Sequence, residues 1–446
     1  MLRGARFRDM RAWNRKGAQD DEKPSKHSSM LRILKTAVIA AVAVAAAWAN
    51  AQDRPVVIAA STLFDGKGQA FHNTRVVVQG GKILRVDPNA EPITYDLRGF
   101  TVLPGWIDTH VHINDHFGPN GRAQDSKETP AQAVLAGATD AFVTLMAGFT
   151  TVQSVGQPGD VPLRDAITRG EIPGPRILTA ARPLDERGPA AGTPEQIREY
   201  VRQVKAEGAD LIKIFATTTL LEGGKVTLSQ EQLDAACDEA KKQGLRTLVH
   251  AYGPGIRPTT LAGCTQIEHG TLGTDDDLRL MAERGVYFDP QAGFVIENYV
   301  ANKDRYIGSG NDTEERFARI AKILPLDHDI FQRAIATPHL KVVFGTDAVA
   351  GAAGRNAEEF IDRVRDCGQD RMAAMVSANS LAAESMRLES EIGSIAPGLQ
   401  ADIIALDGDP LQDITAVRNV VFVMKGGVVY KNVARGAIPR YAGVEP

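Results

Sequence analysis

The 446-residue sequence predicts an α/β protein: a (β/α)8 TIM-like barrel carrying a small β-sandwich built from both chain ends. Three observations lead there. Short apolar runs alternate with amphipathic helical stretches through the middle of the chain, the pattern of repeated βα units with parallel strands. Glycine-punctuated, β-prone bursts occupy both ends. Potential metal ligands end, or sit within, successive apolar runs: His110 and His112, Lys213, His250, His269 and Asp347. A β/α-barrel builds its active site at one rim from the ends of its strands, so ligands placed this way are expected to converge.

The first 51 residues stand apart from the fold. Met30 opens a second plausible start, with Leu31 to Lys35 as a basic n-region and Thr36 to Trp48 as an Ala/Val-rich core. Ala49-Asn50-Ala51 then satisfies the small-x-small rule for signal-peptide cleavage. The apolar core falls short of the ~20 residues that a membrane span needs. The expectation is export to the periplasm or the exterior, with no stable membrane insertion after cleavage and a mature chain starting near Gln52. Residues 1–29 are polar and mixed in charge, as a start codon placed too far upstream would leave them. Ten Lys/Arg and four Asp/Glu leave with residues 1–51, which moves the formal charge from −4 to −10. An acidic mature chain without a basic cluster argues against nucleic acid or anionic membranes as partners. Cys237, Cys264 and Cys367 form no CxxC and allow at most one internal disulfide. All three read as small buried hydrophobes, and none reads as a nucleophile.

From residue 52 to 100 the bursts Val56 to Ile58, Thr74 to Val78 and Lys82 to Val86 are separated by Gly66, Gly68 and Gly80-Gly81, the signature of a β-meander. Residues 392–446 repeat the texture in Ala401 to Leu406, Val420 to Lys425 and Val428 to Tyr430, with Gly408-Asp409-Pro410 and Gly426-Gly427 as turns. These two segments are the expected halves of the sandwich, and residues 101–391 the barrel. Within the barrel, Thr193-Pro194-Glu195-Gln196 starts a helix with a capping box and a proline at its first position. Ile197, Tyr200, Val201 and Val204 follow on one face. Ser229 to Gln232 opens the next helix in the same way, with Leu233, Ala236, Cys237 and Ala240 inward and Gly244 as the stop. Apolar strands follow these helices at Leu211 to Phe215 and Thr247 to His250. Gln291 to Asp329 breaks the rhythm. It reads as a polar loop over Glu297 to Asp312, then an amphipathic helix over Glu314 to Ile323, an insertion of the kind that covers an active-site mouth.

The chemistry starts from His110-Val111-His112. Alternate residues of a strand share a side, so both imidazoles can enter the interior together and suit a borderline metal such as zinc. An isolated HxH is a weak signal; its place after Leu103 to Asp108 strengthens it. Lys213, inside the apolar run Leu211 to Phe215, would bury an ammonium at high cost unless a carboxylate paired with it. Desolvation instead lowers the amine pKa, and a neutral amine adds CO2 to give a carbamate that bridges two metal ions. A lone histidine is more often a hydrogen-bonded core residue, but His250 and His269 close consecutive strands and each precedes a small residue. Asp347 in Phe344 to Ala348 could cap a helix; on the last strand it also suits a metal ligand and proton shuttle. His116, four residues beyond His112, is expected in a loop near the pocket, whereas His27, His72, His328 and His339 lack a strand-end setting.

Taken as a set, PGWIDTHVH, GFTTV at Gly148 to Val152, LRDAITRGEIPGPRI at Leu163 to Ile177, LIKIF, VHAYGP, QIEHG, VFGTDA and GSIAPGLQADIIALDGDPL at Gly393 to Leu411 resemble the amidohydrolase superfamily. The likeness runs from Val56 to Tyr430. It points to the binuclear zinc branch with a carboxylated lysine, and within it to imidazolonepropionase-related, prolidase-like dipeptidases and carboxypeptidases, among them ochratoxin-type amidases. The resemblance implies His110, His112 and Asp347 on one zinc, His250 and His269 on the other, and carboxylated Lys213 between them. Mn or Co are accepted by such ligands too. It also implies a homo-oligomer, with an octamer as one form.

Two departures bear on substrate. Gln153-Ser154 stands where the family commonly has Arg-Asp, and Pro183 to Gly192 is short and lacks the Gly-Gly-His loop. Both are expected to fall near substrate. The implied reaction is hydrolysis of a C–N amide bond in an N-acyl amino acid or a dipeptide. A bulky aryl-acyl substrate such as ochratoxin is included. A metal-activated hydroxide would attack, Asp347 would carry the proton to the leaving amine, and Tyr252 would donate to the oxyanion. A mononuclear deaminase or imidazolonepropionase-like enzyme is the nearest rival. Deaminases carry HxxE after the fifth strand, where this chain has His250-Ala251-Tyr252-Gly253. A catalytically inactive barrel scaffold is the rival from another class, and such proteins typically lose ligands.

Overall fold

The computed structural model describes residues 54–123, 127–185, 191–309 and 312–434. The signal-peptide reading and His27 fall outside the described residues. Strand β1 (Val56–Phe64) turns through Gly66 and Gly68 into antiparallel β2 (Ala70–Gln79), and Gly80-Gly81 turns β2 into β3 (Lys82–Val86). β4 (Tyr95–Pro104) then runs parallel to β1. The C-terminal strands β13 (Ile403–Leu406), β14 (Val420–Lys425) and β15 (Val428–Asn432) join on the other side of β4, in the order β15-β14-β13-β4-β1-β2-β3. Both chain ends therefore meet in one seven-stranded sheet. Edge strand β3 bonds back to the segment leading into β13, through Ile83 N to Leu399 O (2.8 Å) and Ala401 N to Gly81 O (2.9 Å). That return curls the sheet over one apolar set that includes Ile58, Val76, Leu97, Val102, Ile403 and Phe422.

Gly105 leads straight from β4 into β5 (Trp106–Val111), the first of the parallel strands. β5, β6 (Phe149–Ser154) and β7 (Arg176–Thr179) form a three-stranded sheet. β8 (Leu211–Phe215), β9 (Arg246–Ala251), β10 (Gln266–His269), β11 (Tyr287–Asp289) and β12 (Lys341–Val342) form a five-stranded one, parallel throughout. Two isolated parallel bridges tie segments beyond the sheets to edge strands: Leu184, after β7, to Ile214 of β8, and Ala348, after β12, to Val111 of β5.

The helices between the strands start as their sequences dictate. Thr193 and Ser229 each accept from the backbone N–H three residues on, and Gln196 and Gln232 close the capping boxes. Ile197, Val201 and Val204 of Pro194–Ala206, and Leu233, Ala236 and Ala240 of Gln230–Lys242, are fully buried. They pack with Ile212, Ile214 and Val249 of the strands into one core. Each of the Ile, Val and Leu side chains contributes roughly 1.5–3 kcal/mol by leaving water.

Three expectations change. Cys237 and Cys264 form a disulfide between the helix Gln230–Lys242 and the approach to β10, and Cys367 alone is a buried free thiol. Residues 27 apart with no spacing motif give no sign of pairing until the fold brings their Cα atoms to 5.2 Å. The stretch read as a polar loop carries the helices Phe294–Ala301 and Lys303–Tyr306 ahead of Glu314–Ile320. Phe294, Val295 and Tyr306 are buried there, and Val295 and Tyr306 join Phe317, Ile320 and Val349 in a separate apolar cluster. Asp347, finally, lies beyond β12. After Val343 the chain leaves that ladder, and the N–H groups of Thr346 and Asp347 donate to His110 O at 3.3 and 2.8 Å.

Beneath the strand ends, Arg363 is wholly buried between two carboxylates, Asp289 Oδ1 at 3.1 Å and Glu359 Oε1 at 2.9 Å, and it donates to Val343 O at 2.9 Å. Replacing Arg363 with Met leaves two buried acids without their counter-ion, which should cost about 3–5 kcal/mol. Denaturant unfolding of the purified variant measures this, with Arg363→Lys expected to recover part of the loss.

Candidate metal centre

The strand ends bring the predicted residues to one cavity of about 230 Å³. His110 is the penultimate residue of β5 and His112 lies just past it. Lys213 is central in β8, His250 is penultimate in β9, and His269 ends β10. All six candidates line the cavity, and Tyr252 does as well. Ligand atoms of His110, His269 and Asp347 lie within 4.8 Å of one another. Asp347 Oδ1 is 3.2 Å from His110 Nε2 and 3.0 Å from His112 Nε2. The His250 and His269 rings meet edge-on at 4.5 Å. Lys213 Nζ is 3.3 Å from His110 Nε2, and the side chain is only 1 % exposed.

Backbone strain helps to make this convergence. His269 (φ 67°), Gln291 (φ 47°) and Asp347 (φ 51°) all adopt left-handed conformations that non-glycine residues avoid. Such strain persists only where surrounding structure enforces it, and it gathers at functional sites. At the end of β10 it breaks the simple alternation of a strand. Glu268 and His269 are consecutive, yet both reach the His110 ring, Glu268 through its carboxylate and His269 ring to ring at 5.4 Å.

The electrostatics favour neutral imidazoles at His110, His250 and His269 and an ionised Asp347. Burial, then the charge of Lys213, holds His110 well below the ordinary histidine range. Burial does the same for His250, and it brings His269 down to about 4. Burial opposes ionisation of Asp347, but His110 and His112 prevail and hold its carboxyl far below the usual range. The reciprocal pull of Asp347 outweighs burial at His112 and raises it. Lys213 is lowered by burial, against the opposing charges of Glu268, Asp347 and Asp289. Its Nζ contacts an imidazole nitrogen, His110 Nε2, which offers an ammonium little compensation.

A cation fits this donor set on one further observation. His250 Nε2 is buried and has no hydrogen-bond partner, which is costly for a polar atom with nothing to bind. That free nitrogen, beside the His269 ring, suits a metal ion of the zinc type.

Several residues that hold this site escaped the sequence reading. Glu268 Oε2 accepts from His110 Nδ1 at 2.7 Å, which keeps the His110 Nε2 lone pair for the cavity. Gln291 Nε2 donates to Asp289 Oδ2 (2.5 Å) and lies against the His110 ring, 3.2 Å from Nδ1, and Arg363 anchors Asp289 from behind. Asp108 accepts from Thr346 N (3.1 Å), Thr346 Oγ1 (2.7 Å) and Asn356 Nδ2 (2.8 Å), fastening the Asp347 segment to β5. Burial raises its pKa to about 7 despite those donors. Asp108, Glu268 and Asp289 are carboxylates inside apolar strands, the same signal that singled out Lys213 and one that could have found them.

Two expectations about substrate contacts are corrected. Gln153 and Ser154 are fully buried in β6 and do not line the cavity; the Gln153 amide donates to Thr109 O at 2.8 Å. The described residues of Pro183 to Gly192 line a different cavity, beside Arg182 and Tyr200, because Leu184 pairs with β8; residues 186–190 fall outside the described residues. His116 lines a second cavity next to the first, bonded to Asn114 O (2.7 Å) and Glu128 Oε1 (2.8 Å). Tyr252 stacks on His269 at 5.2 Å, and burial pushes its phenol up, so it stays protonated.

Residues 101–436 match the amidohydrolase family. The chain belongs to that family, whose members are typically metal-dependent hydrolases. A solved structure of a Xaa-Pro dipeptidase with bound methionine superposes with a TM-score of 0.76 at 32 % identity, covering 85 % of this chain and 100 % of that one. Ochratoxinase from Aspergillus niger is 25 % identical across 86 % of this chain and 90 % of its own length, and its crystal structure superposes with a TM-score of 0.72. A 5-methylthioadenosine/S-adenosylhomocysteine deaminase from Symbiobacterium thermophilum is 23 % identical across 84 % of this chain. The resemblance read from the motifs thus holds.

Two outcomes follow from the geometry. Glu268→Gln should weaken metal binding about 10- to 100-fold, read by chelator competition, because it removes the carboxylate that orients His110. The lowered values of His110, His250 and His269 leave protons little competition with a metal at those three ligands in the neutral range, whereas His112, raised by Asp347, is the first to be protonated as pH falls. Zinc affinity, read by dialysis against a chelator, should therefore weaken as the pH falls through the neutral range, with full release only below about pH 5. Complete release already at about pH 6.5 would contradict the assignment.

Proposed function

We propose that the chain is a binuclear metal-dependent amidohydrolase that cleaves the C–N amide bond of an N-acyl amino acid or a dipeptide, with bulky aryl-acyl amino acids such as ochratoxin within reach. The observation that carries this reading is Lys213, buried in the wall of the same cavity as the other five candidates with its Nζ 3.3 Å from His110 Nε2. A neutral amine in that place can take up CO2, and the carbamate would be an anionic bridge where four imidazoles and one carboxylate otherwise serve a single ion. In this reading His110, His112 and Asp347 hold one Zn2+ and His250 and His269 the other, with carboxylated Lys213 between; Mn or Co are alternatives.

Bound divalent metal supplies a Lewis acid for the carbonyl and a water acidic enough to ionise near neutrality. The rest falls to the chain. Asp347, ionised and facing the cavity, accepts the proton of the attacking water and passes it to the leaving amine. Tyr252, kept protonated by burial, donates to the oxygen that gains charge. Leu220, Leu221, Val295, Ile296, Ile320 and Ile323 line the cavity with apolar surface, which suits a hydrophobic side chain or aryl group and limits water.

The same reading closes the eight parallel strands into a barrel over residues 101–391. The two interstrand bridges support closure. Residues 52–100 and 392–446 then make the two parts of a sandwich, supported by the return of β3 to the β13 approach. Export after cleavage near Ala51 and assembly into a homo-oligomer, with an octamer as one form, complete the proposal. The Cys237–Cys264 disulfide supports an oxidising compartment. The likeness to a deaminase favours a second reading, a mononuclear deaminase or cyclic amidohydrolase. It leaves buried Lys213 without a role, and Ala251-Tyr252-Gly253 supplies no glutamate after His250.

Metal analysis and a substrate screen test the proposal together. Two metal ions per chain and release of an amino acid from N-acyl amino acids, dipeptides or ochratoxin are expected. One ion with deamination instead would favour the second reading, and no metal with no turnover would favour a scaffold. Asp347→Asn should lower kcat at least about 100-fold; unchanged hydrolysis would remove its assigned role.

A further inference from the structure

Two charged groups of the cavity have no part in the metal centre. Among the described lining residues, the acids are Asp347 and Asp327, and the side-chain cations besides histidine are Lys213 and Arg316. Asp347 and Lys213 belong to the centre. Asp327, on the helix Leu324–Ala336, is only 9 % exposed. Its Oδ1 accepts from Thr271 Oγ1 at 2.6 Å, and no lysine or arginine among the described residues pairs with it. Burial, with the Glu359 charge adding to it, lifts its pKa to about 7. An acid in the cavity wall with no basic partner among the described residues can ionise against a cation that enters the cavity.

Arg316 lies elsewhere on the wall. It stands on the helix Glu314–Ile320, at the junction between the main cavity and the second one, and lines both. Asp312 Oδ1 faces its Nε at 2.9 Å, and no described residue accepts from its Nη1 or Nη2. A guanidinium with two such nitrogens free is suited to a carboxylate, which it can take in bidentate fashion. Asp327 lines the main cavity alone. The acid and the base thus mark different parts of the wall around one set of candidate ligands.

We infer that the substrate is a dipeptide with both termini charged, its free ammonium held by Asp327 and its terminal carboxylate by Arg316 while its amide lies over the metal centre. The inference rests on the amidohydrolase reading and narrows its substrate class, setting the free dipeptide apart from N-acyl amino acids, which have no ammonium to offer. Asp327 and Arg316 are positioning residues of specificity, and bond cleavage is left to the groups already described. The hydrogen bond from Thr271 also fastens the helix to the end of β10, so Asp327 has a structural function that the test must separate.

The test uses the metal-loaded full chain and three forms of one dipeptide: free, N-acetylated and C-terminally amidated. In the unmodified enzyme each blocked form should lose on the order of 30-fold or more in kcat/KM, since each leaves a charged wall group unpaired. Asp327→Asn should shrink the N-acetylation penalty to about threefold or less, chiefly through a higher KM for the free dipeptide, and leave the amidation penalty standing. Arg316→Gln should do the reverse, and Asp327→Glu and Arg316→Lys should each restore part of the discrimination. A purely structural role for Asp327 would lower all three substrates alike and overturn the assignment. Should Asp327→Asn fail to fold, the unmodified enzyme still decides: equal or faster cleavage of the N-acetyl form overturns the inference. A chain that cleaves N-acyl amino acids and refuses free dipeptides keeps the amidohydrolase reading and sinks this one. A chain that cleaves no amide at all sinks both.

Discussion

Lys213 in the cavity wall and Glu268, Asp289, Glu359 and Arg363 behind it are all essentially without solvent, and the site depends on how they compensate one another. Arg363 holds Asp289 and Glu359, Gln291 links Asp289 to the neighbourhood of His110, and Glu268 takes the His110 Nδ1 proton. Each link fixes the next. An isolated buried charge is costly, but a hydrogen-bonded chain of charges keeps its members in one geometry. The Nε2 of His110 faces the cavity because its other nitrogen is occupied below. Lys213 forms no ion pair among the described residues, and burial outweighs the charges of Glu268, Asp347 and Asp289, which makes it the chemically unusual group of the site.

The second constraint is conformational. His269, Gln291 and Asp347 are held at positive φ, and Asp347 owes its place to hydrogen bonds between its segment and β5. Asp108 secures the same segment through Thr346 and Asn356. The last candidate ligand is therefore positioned by the first strand, across a separation of more than two hundred residues. The seven-stranded sheet works at the opposite end of β5: β4 runs into it through Gly105, and β13 pairs with β4. The chain ends thus brace the strand that carries the HxH.

Much of this was legible beforehand for local reasons. The capping boxes at Thr193 and Ser229, the inward faces of both helices and the strand ends at His250 and His269 are set by short-range periodicity and by side chains that bond their own backbone. The convergence of His110, His112, Lys213, His250, His269 and Asp347 could be anticipated because parallel βα units place their strand ends together. Other features had no local signal. The helices in Phe294 to Tyr306 follow from packing on Val349 and Ala350, residues far along the chain. Gln153 and Ser154 looked like substrate contacts until β6 proved to bury both. The Cys237–Cys264 bond depends on where a helix and a loop come to rest.

The sequence by itself determined the class of fold, the residue types able to hold metal and the family, since each is written in periodicity, in charge placed within apolar runs or in contiguous motifs. Tertiary structure alone decided which carboxylates support those ligands and which charged groups, Asp327 and Arg316, are left facing the cavity. The physical reason is distance. Compensation of a buried charge is settled by partners within a few ångströms in space, such as Thr346 for Asp108 and Arg363 for Asp289, and those partners lie anywhere along the chain.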